Sequence, residues 1–258
     1  MKASPAPVDG GPPDYDGLAR TYRALEYLAF GRSLEAARFC FLERLQRRKR
    51  ILLLADGDVR CLARALRLHP QLEATCVDAS AAMLRRAAGR LSGQETARAR
   101  LIHADARVYD PPPGTFDAVV THFFLDGFTD QDVRRIVARV APSLHPMAPW
   151  LIADFALPDR APARWRARVW LLFLYGFFRW QTGLRVGHLP EIGPAMAEAG
   201  FDRLAFRDFQ GGMIRSSIFA FRGTGSRPPE GSVNAAGETA PPARASPQTP
   251  GFESRAAG

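Results

Sequence analysis

The sequence predicts an α/β fold built on a doubly wound, mostly parallel sheet, and three observations lead there. From Ile51 to Ala153, short runs that are apolar throughout alternate with segments of helical length and spacing. Runs of that kind suit strands covered on both faces, and the alternation is that of a sheet wound by crossover helices. A helical segment and two closely spaced strands end the pattern at Phe221. Finally, 258 residues, 47% hydrophobic and 24% charged, fit one packed core with appendages.

Residues 1–14, rich in Pro, Gly and Asp, read as a flexible leader. They lack the basic-then-apolar order of a secretory signal. Residues 15–222 form the folded domain. Within it, residues 15–46 carry Tyr15, Tyr22, Tyr27, Phe30, Phe39 and Phe41 on one or two amphipathic helices, expected as a cap over the carboxyl edge of the sheet.

The sheet follows. Strands are expected at Ile51 to Leu54, Ala74 to Val77, Ala99 to Ile102, Phe116 to Thr121 and Trp150 to Ala153. Helices are expected at Val59 to Leu68, Ala81 to Leu91 and Asp130 to Val140. After an insertion at 158–190, a helix from Leu189 to Ala199 is stopped by Gly200. Two last strands, Arg203 to Phe209 and Arg215 to Phe221, meet through a tight return at Gly211 and Gly212, which gives seven strands with a reversed edge strand. Residues 223–258, almost without large apolar side chains, cannot offset the entropy of ordering and are expected to be disordered.

Composition excludes several classes. No apolar run reaches the ~20 residues that span a bilayer. Cys40, Cys61 and Cys76 are odd in number and without histidines at ligand spacing, which argues against a disulfide framework and against structural zinc. No metal is expected, and a reducing cytoplasm is the natural setting. The net charge of +9 comes almost wholly from arginine, Lys occurring only at Lys2 and Lys49. That bias accompanies abundant Ala, Pro and Gly, as GC-rich coding produces. The densest cluster, Arg44, Arg47, Arg48, Lys49 and Arg50, precedes the first strand, where a solvated helix end would place it. No nucleic-acid partner is expected.

Ligands of such sheets bind beyond the carboxyl ends of the strands, near the point where strand order reverses. The first turn offers Ala55, Asp56 and Gly57. The second reads Val77-Asp78-Ala79-Ser80, an acid at a strand end whose two oxygens can accept from a diol, followed by a capping Ser. The third is Ala104-Asp105-Ala106, and the fourth delivers Thr121, His122 and the aromatic step Phe123-Phe124 to the same rim. An acid at a strand end also caps helices or turns, and both roles stay open for Asp78.

This succession resembles the class I methyltransferases that use S-adenosylmethionine, in particular the small-molecule branch that includes quinone-biosynthesis enzymes. The resemblance covers roughly Tyr15 to Phe221. It is carried by Val77-Asp78-Ala79-Ser80 with Met83-Leu84, by Ala104-Asp105-Ala106, by Phe116-Asp117-Ala118-Val119-Val120 and by Ala199-Gly200-Phe201. It implies a Rossmann-like fold and S-adenosylmethionine as cofactor. Asp78 and Ala79 would hold the ribose, Asp105 with Ala106 would meet the adenine, and Ala55, Asp56 and Gly57 would approach the methionine portion, with Thr121 beside the site. The first turn departs from the family pattern: Leu53 stands where the strand carries an acid, and Ala55 and Val59 stand at two of three glycine positions, only Gly57 matching. Asp56 or Asp58 is positioned to replace the lost carboxylate.

His122 is the catalytic candidate, since an imidazole can take a proton from a hydroxyl as the methyl arrives, although a strand-end His can equally bond a backbone carbonyl. Asp126, next to Gly127, either caps the following helix or meets substrate. In the insertion, the helix at 165–180 carries Trp165, Trp170, Phe173, Tyr175, Phe177, Phe178 and Trp180, flanked by arginines. In the resembled family this segment covers the substrate pocket, which implies a small apolar, lipid-like or aromatic acceptor. A homodimer face and a peripheral membrane contact are its other readings. The alternative to an enzyme is a methyltransferase-like scaffold whose cofactor site has decayed.

Overall fold

The computed structural model describes residues 32–56, 60–158 and 188–222. The leader at 1–14, the insertion helix at 165–180, the tail at 223–258 and Gly57 to Val59 lie outside the described residues, as does most of the cap.

Seven strands form one sheet: β1 Arg50–Leu54, β2 Glu73–Asp78, β3 Ala99–His103, β4 Ala118–His122, β5 Pro149–Phe155, β6 Phe201–Phe209 and β7 Ile214–Phe221, in the order β3-β2-β1-β4-β5-β7-β6. The first five pair in parallel. β7 runs antiparallel to both β5 and β6, so the reversal falls at that edge. The fold class and the reversed strand expected above are both present. Strand order turns back between β1 and β4, where Leu54 pairs with Thr121. Ala55 and His122 therefore stand on either side of the switch point.

Helices cover both faces. Helix α1 is Ser33–Phe39, α2 Arg60–Leu68, α3 Ala81–Arg90, α4 Gly93–Thr96, α5 Asp130–Val140 and α6 Ile192–Glu198. One face packs Ile51, Leu53, Cys76, Ala118, Val120 and Leu151 against Leu62, Ala65 and Leu66 of α2 and Ala87 of α3. The other packs Leu52, Leu54, Val119, Trp150 and Ile152 against Val133, Ile136 and Val137 of α5 and Met196 of α6. Uniformly apolar strands follow from this double cover.

Side chains set the boundaries. Ser80 accepts the Met83 N–H and starts α3, and Thr129 accepts the Asp132 N–H and starts α5. Gly200, at φ 87°, ends α6 in the left-handed conformation that glycine adopts without penalty. The β6–β7 return runs through Gln210–Gly212, and a Cβ on Gly212 would meet Pro158 at 3.3 Å. Arg44, Arg47, Lys49 and Arg50 are exposed around the entry to β1, as a solvated end requires. Among the described residues no helix is long and apolar enough to cross a membrane, and no cluster of His, Cys, Asp or Glu could hold a metal ion.

Candidate functional site at the carboxyl edge

The turn after β1 keeps a glycine-like backbone although its residue is alanine. Ala55 has φ 49° and donates its N–H to the Val77 carbonyl at 2.8 Å. A left-handed alanine costs about 1–2 kcal/mol, so the neighbouring structure enforces the bend. Asp56 is 8% exposed and its Oδ2 accepts the Leu62 N–H at 2.7 Å, which ties this carboxylate to the first turn of α2. That bond gives Asp56 a helix-capping role.

β2 ends at Asp78, whose Oδ1 accepts the Ser80 N–H at 2.8 Å and shapes the turn into α3. Cys76 lies two residues earlier on the same strand. Burial first, then the charges of Asp56 and Asp78, push its thiol pKa up. The Ala79 carbonyl lies 2.9 Å from His103 Nε2. At the end of β3, Asp105 is held by Arg107 through a forked pair, with Arg107 Nη2 at 2.6 Å. Burial alone would raise the Asp105 carboxyl, but bonds from the Arg107 side chain and N–H outweigh it and hold the pKa below its ordinary value. Ala106 is buried in the core.

The structure thus brings Ala55, Asp56 and Asp78 to the ends of β1 and β2, and Asp105 and Ala106 to the end of β3. Thr121 lies elsewhere: its side chain is fully buried and its Oγ1 accepts the Trp150 indole N–H at 3.0 Å. The hydroxyl belongs to the core, because register puts Thr121 on the Trp150 face. His122, one residue on, points to the opposite face with Val120 and Ala153. It is 7% exposed, and its Nδ1 has no hydrogen-bond partner. Burial, then the charge of Arg38, hold its pKa down to about 3, so the ring is neutral at ordinary pH.

Two groups complete this rim. Arg38, half-buried on α1, sets its guanidinium carbon 4.8 Å from the Phe123 ring centre, and the Phe123 and Phe155 rings meet edge to face at 5.4 Å. Leu34 and Ala37 of the same helix pack with Ala153 and Ile214. Phe123 itself is strained at φ 52° and donates its N–H to Ala153. On the far face, Asp154 is 2% exposed; its Oδ1 accepts the Phe124 N–H and its Oδ2 has no hydrogen-bond partner. Burial first and the Asp126 charge second raise the Asp154 carboxyl well above the usual carboxylate range. Asp126, 8% exposed in the turn Leu125–Gly127, faces it.

Sequence reasoning missed Arg38 and Asp154. Asp154 carries the same signal as Asp78, an acid where an apolar run ends. Arg38 carries none, since it reaches the rim only through the packing of α1.

Residues 51–147 match the model of a family described as a methyltransferase domain. Among solved structures, the mitomycin 7-O-methyltransferase MmcR superposes with a TM-score of 0.59 at 19% identity, over 80% of this chain and 60% of that one. An O-methyltransferase family protein from Burkholderia thailandensis gives 0.58 at 20%, over 82% and 59%. CalO1, a methyltransferase in calicheamicin biosynthesis solved in an SAH-bound form, gives 0.57 at 18%, over 81% and 58%. At these identities the likeness is one of fold, and the chain spans about three-fifths of the length of each of the three. No curated protein matches the chain by sequence.

Proposed function

We propose, from the match of residues 51–147 to a methyltransferase-domain family and from the Rossmann-like order of the sheet, that the protein is an S-adenosylmethionine-dependent methyltransferase acting on a small, largely apolar or aromatic molecule. One observation carries the cofactor assignment: the ends of β1 and β2 present a left-handed turn at Ala55 beside the strand-end acid Asp78, at the point where strand order turns back. Ligands of open α/β sheets bind at such a point, and the donor set suits an adenosyl group. Asp78, whose carboxylate oxygens accept from several donors at once, would hold the ribose hydroxyls, with Ala79 beside it. Asp105 and Ala106 would border the adenine, and the turn from Ala55 through Gly57 would approach the methionine portion. Asp56 serves the helix, so the ammonium group would be met by the turn backbone. When bound, the cofactor supplies an activated methyl group on a sulfonium.

The chain's own part is alignment and exclusion of water, which carry much of such a displacement. Phe123 and Phe155 give the acceptor side flat apolar walls, and His122 offers a neutral imidazole as hydrogen-bond partner. A second reading, a scaffold with a decayed site, draws on Leu53 and on the capping role of Asp56. Full-length protein incubated with methyl-labelled S-adenosylmethionine and an organic-solvent extract of cells separates the two. Label in the extractable fraction supports the enzyme. Label that never leaves the donor contradicts it.

A further inference from the structure

We propose that the amino edge of the sheet carries a second ligand site, a cationic cleft that binds a phosphate monoester of an apolar organic molecule.

The cleft, about 360 Å³ in volume, lies where β1, β2 and β3 begin. It has the size of a small-molecule site. Arg50 pairs with Glu73 across β1 and β2, and Thr75 pairs with Arg100 across β2 and β3. Glu73 and Thr75 are two residues apart, so these four side chains stand on one face of the sheet. Arg98 joins the lining from just before β3. Its guanidinium donates to the carbonyls of His69, Leu72 and Leu66 at 3.2, 2.9 and 3.0 Å, which fixes its charge in place.

Three guanidinium groups thus meet one carboxylate, Glu73, and leave an excess of two positive charges in the lining. Arg50 and Arg100 are exposed, and among the described residues neither guanidinium has an ion pair or a hydrogen bond. Glu73 does not neutralise Arg50 although the two are register partners. The segment that runs into Arg50 adds Arg47, Arg48 and Lys49, likewise without ion pairs among the described residues, and the Arg48 Nε is buried with no hydrogen-bond partner. A concave surface so charged concentrates anions.

The donors select which anion. Arg50 and Arg100 stand on the strands either side of Thr75, so their forks can grip one tetrahedral group from two sides, and the Thr75 hydroxyl supplies a further donor. A phosphate dianion matches both the donors and the double charge. A carboxylate is planar, carries one charge and satisfies half of each. The cleft has room beyond the phosphate, and Phe116, which lies with Leu52 in the core on the Arg50 face, gives that room an apolar wall for an organic body. Arg50 stands five residues of strand before Ala55, roughly 16 Å, so this ligand sits clear of the turn assigned to the adenosyl group.

Calorimetric titration of the full chain with phenyl phosphate, inorganic phosphate and benzoate tests the site, at about 0.15 M ionic strength, where loose surface attraction is screened. One phenyl phosphate per chain is expected, at least about tenfold tighter than either other probe. Saturating S-adenosylhomocysteine should not displace it. Arg50→Gln and Arg100→Gln should each weaken it about tenfold or more, and Arg100→Lys should keep part of the affinity. Arg85→Gln, which removes a charge from α3 outside the cleft, should leave it unchanged. Unchanged circular dichroism in each variant reports an intact fold. No saturable binding, equal affinity for the three probes, displacement by S-adenosylhomocysteine, indifference to Arg50→Gln and Arg100→Gln, or an equal loss in Arg85→Gln overturns the proposal. Phenyl phosphate binding needs no methyl donor, so either result leaves the methyltransferase reading to its own test.

Discussion

Asp154 accepts the Phe124 N–H on Oδ1 at 2.9 Å, fastening the loop that leaves β4 to the end of β5. The bond holds a strained segment, since Phe123 sits at φ 52° directly before it. Asp154 shares a buried corner with Asp126, and like charges so placed keep a proton that water would remove.

That proton makes stability depend on pH. The Asp154 pKa is raised on folding, so the folded state binds the extra proton above the ordinary carboxyl value near 4. Its stabilisation is full below that value and is lost as pH rises toward the folded pKa. Asp154→Asn keeps an acceptor for Phe124 and removes the titration. Urea midpoints from pH 4 to 8 should decline less in the variant, leaving it the more stable protein at pH 8. Parallel curves would refute the assignment.

His122 acts with the opposite sign. Its pKa falls from 6.5 to about 3 on folding, so the stability of the neutral ring is present above 6.5 and is lost as pH falls toward 3. At about 1.4 kcal/mol per pH unit, roughly 2 kcal/mol is gone by pH 5. His122→Gln should flatten that acid limb in urea titrations. A variant that loses stability as steeply as the parent between pH 6.5 and 5 would show that His122 is not the responsible group.

Ala55→Gly should stabilise the protein by about 0.5–1 kcal/mol, the relief of a left-handed alanine less the added freedom of the unfolded chain. Chemical denaturation measures it directly. A loss of stability would mean that the bend at Ala55 is not strained.

The strands and main helices were legible to within two or three residues, and the Gly200 stop outright, because periodicity and capping are local. β4 is Ala118–His122 where Phe116 to Thr121 was expected, and the short helix Gly93–Thr96 was not expected. Asp130 to Val140 is a helix over the very residues expected, and Ser80 caps as expected. The site was legible only in part. Asp78 and Asp105 were found as acids ending apolar runs, a signal that also marks the overlooked Asp154. What the signal omits is commitment: Asp56 to Leu62, Asp105 to Arg107 and Thr121 to Trp150 depend on which face and which neighbour each side chain meets. Arg38 was invisible because α1 packs on strands more than 100 residues later in the chain, Ile214 among them. No periodicity spans such a separation.

The central claim is that the ends of β1 and β2 hold an adenosyl group through Asp78, and calorimetric titration with S-adenosylhomocysteine tests it most directly. Saturable binding is predicted for the parent, with affinity about ten- to a hundredfold weaker in Asp78→Ala, the loss of a charged hydrogen bond worth roughly 1.5–3 kcal/mol. An isotherm without heat or saturation at millimolar ligand, or one that Asp78→Ala leaves unchanged, would contradict it.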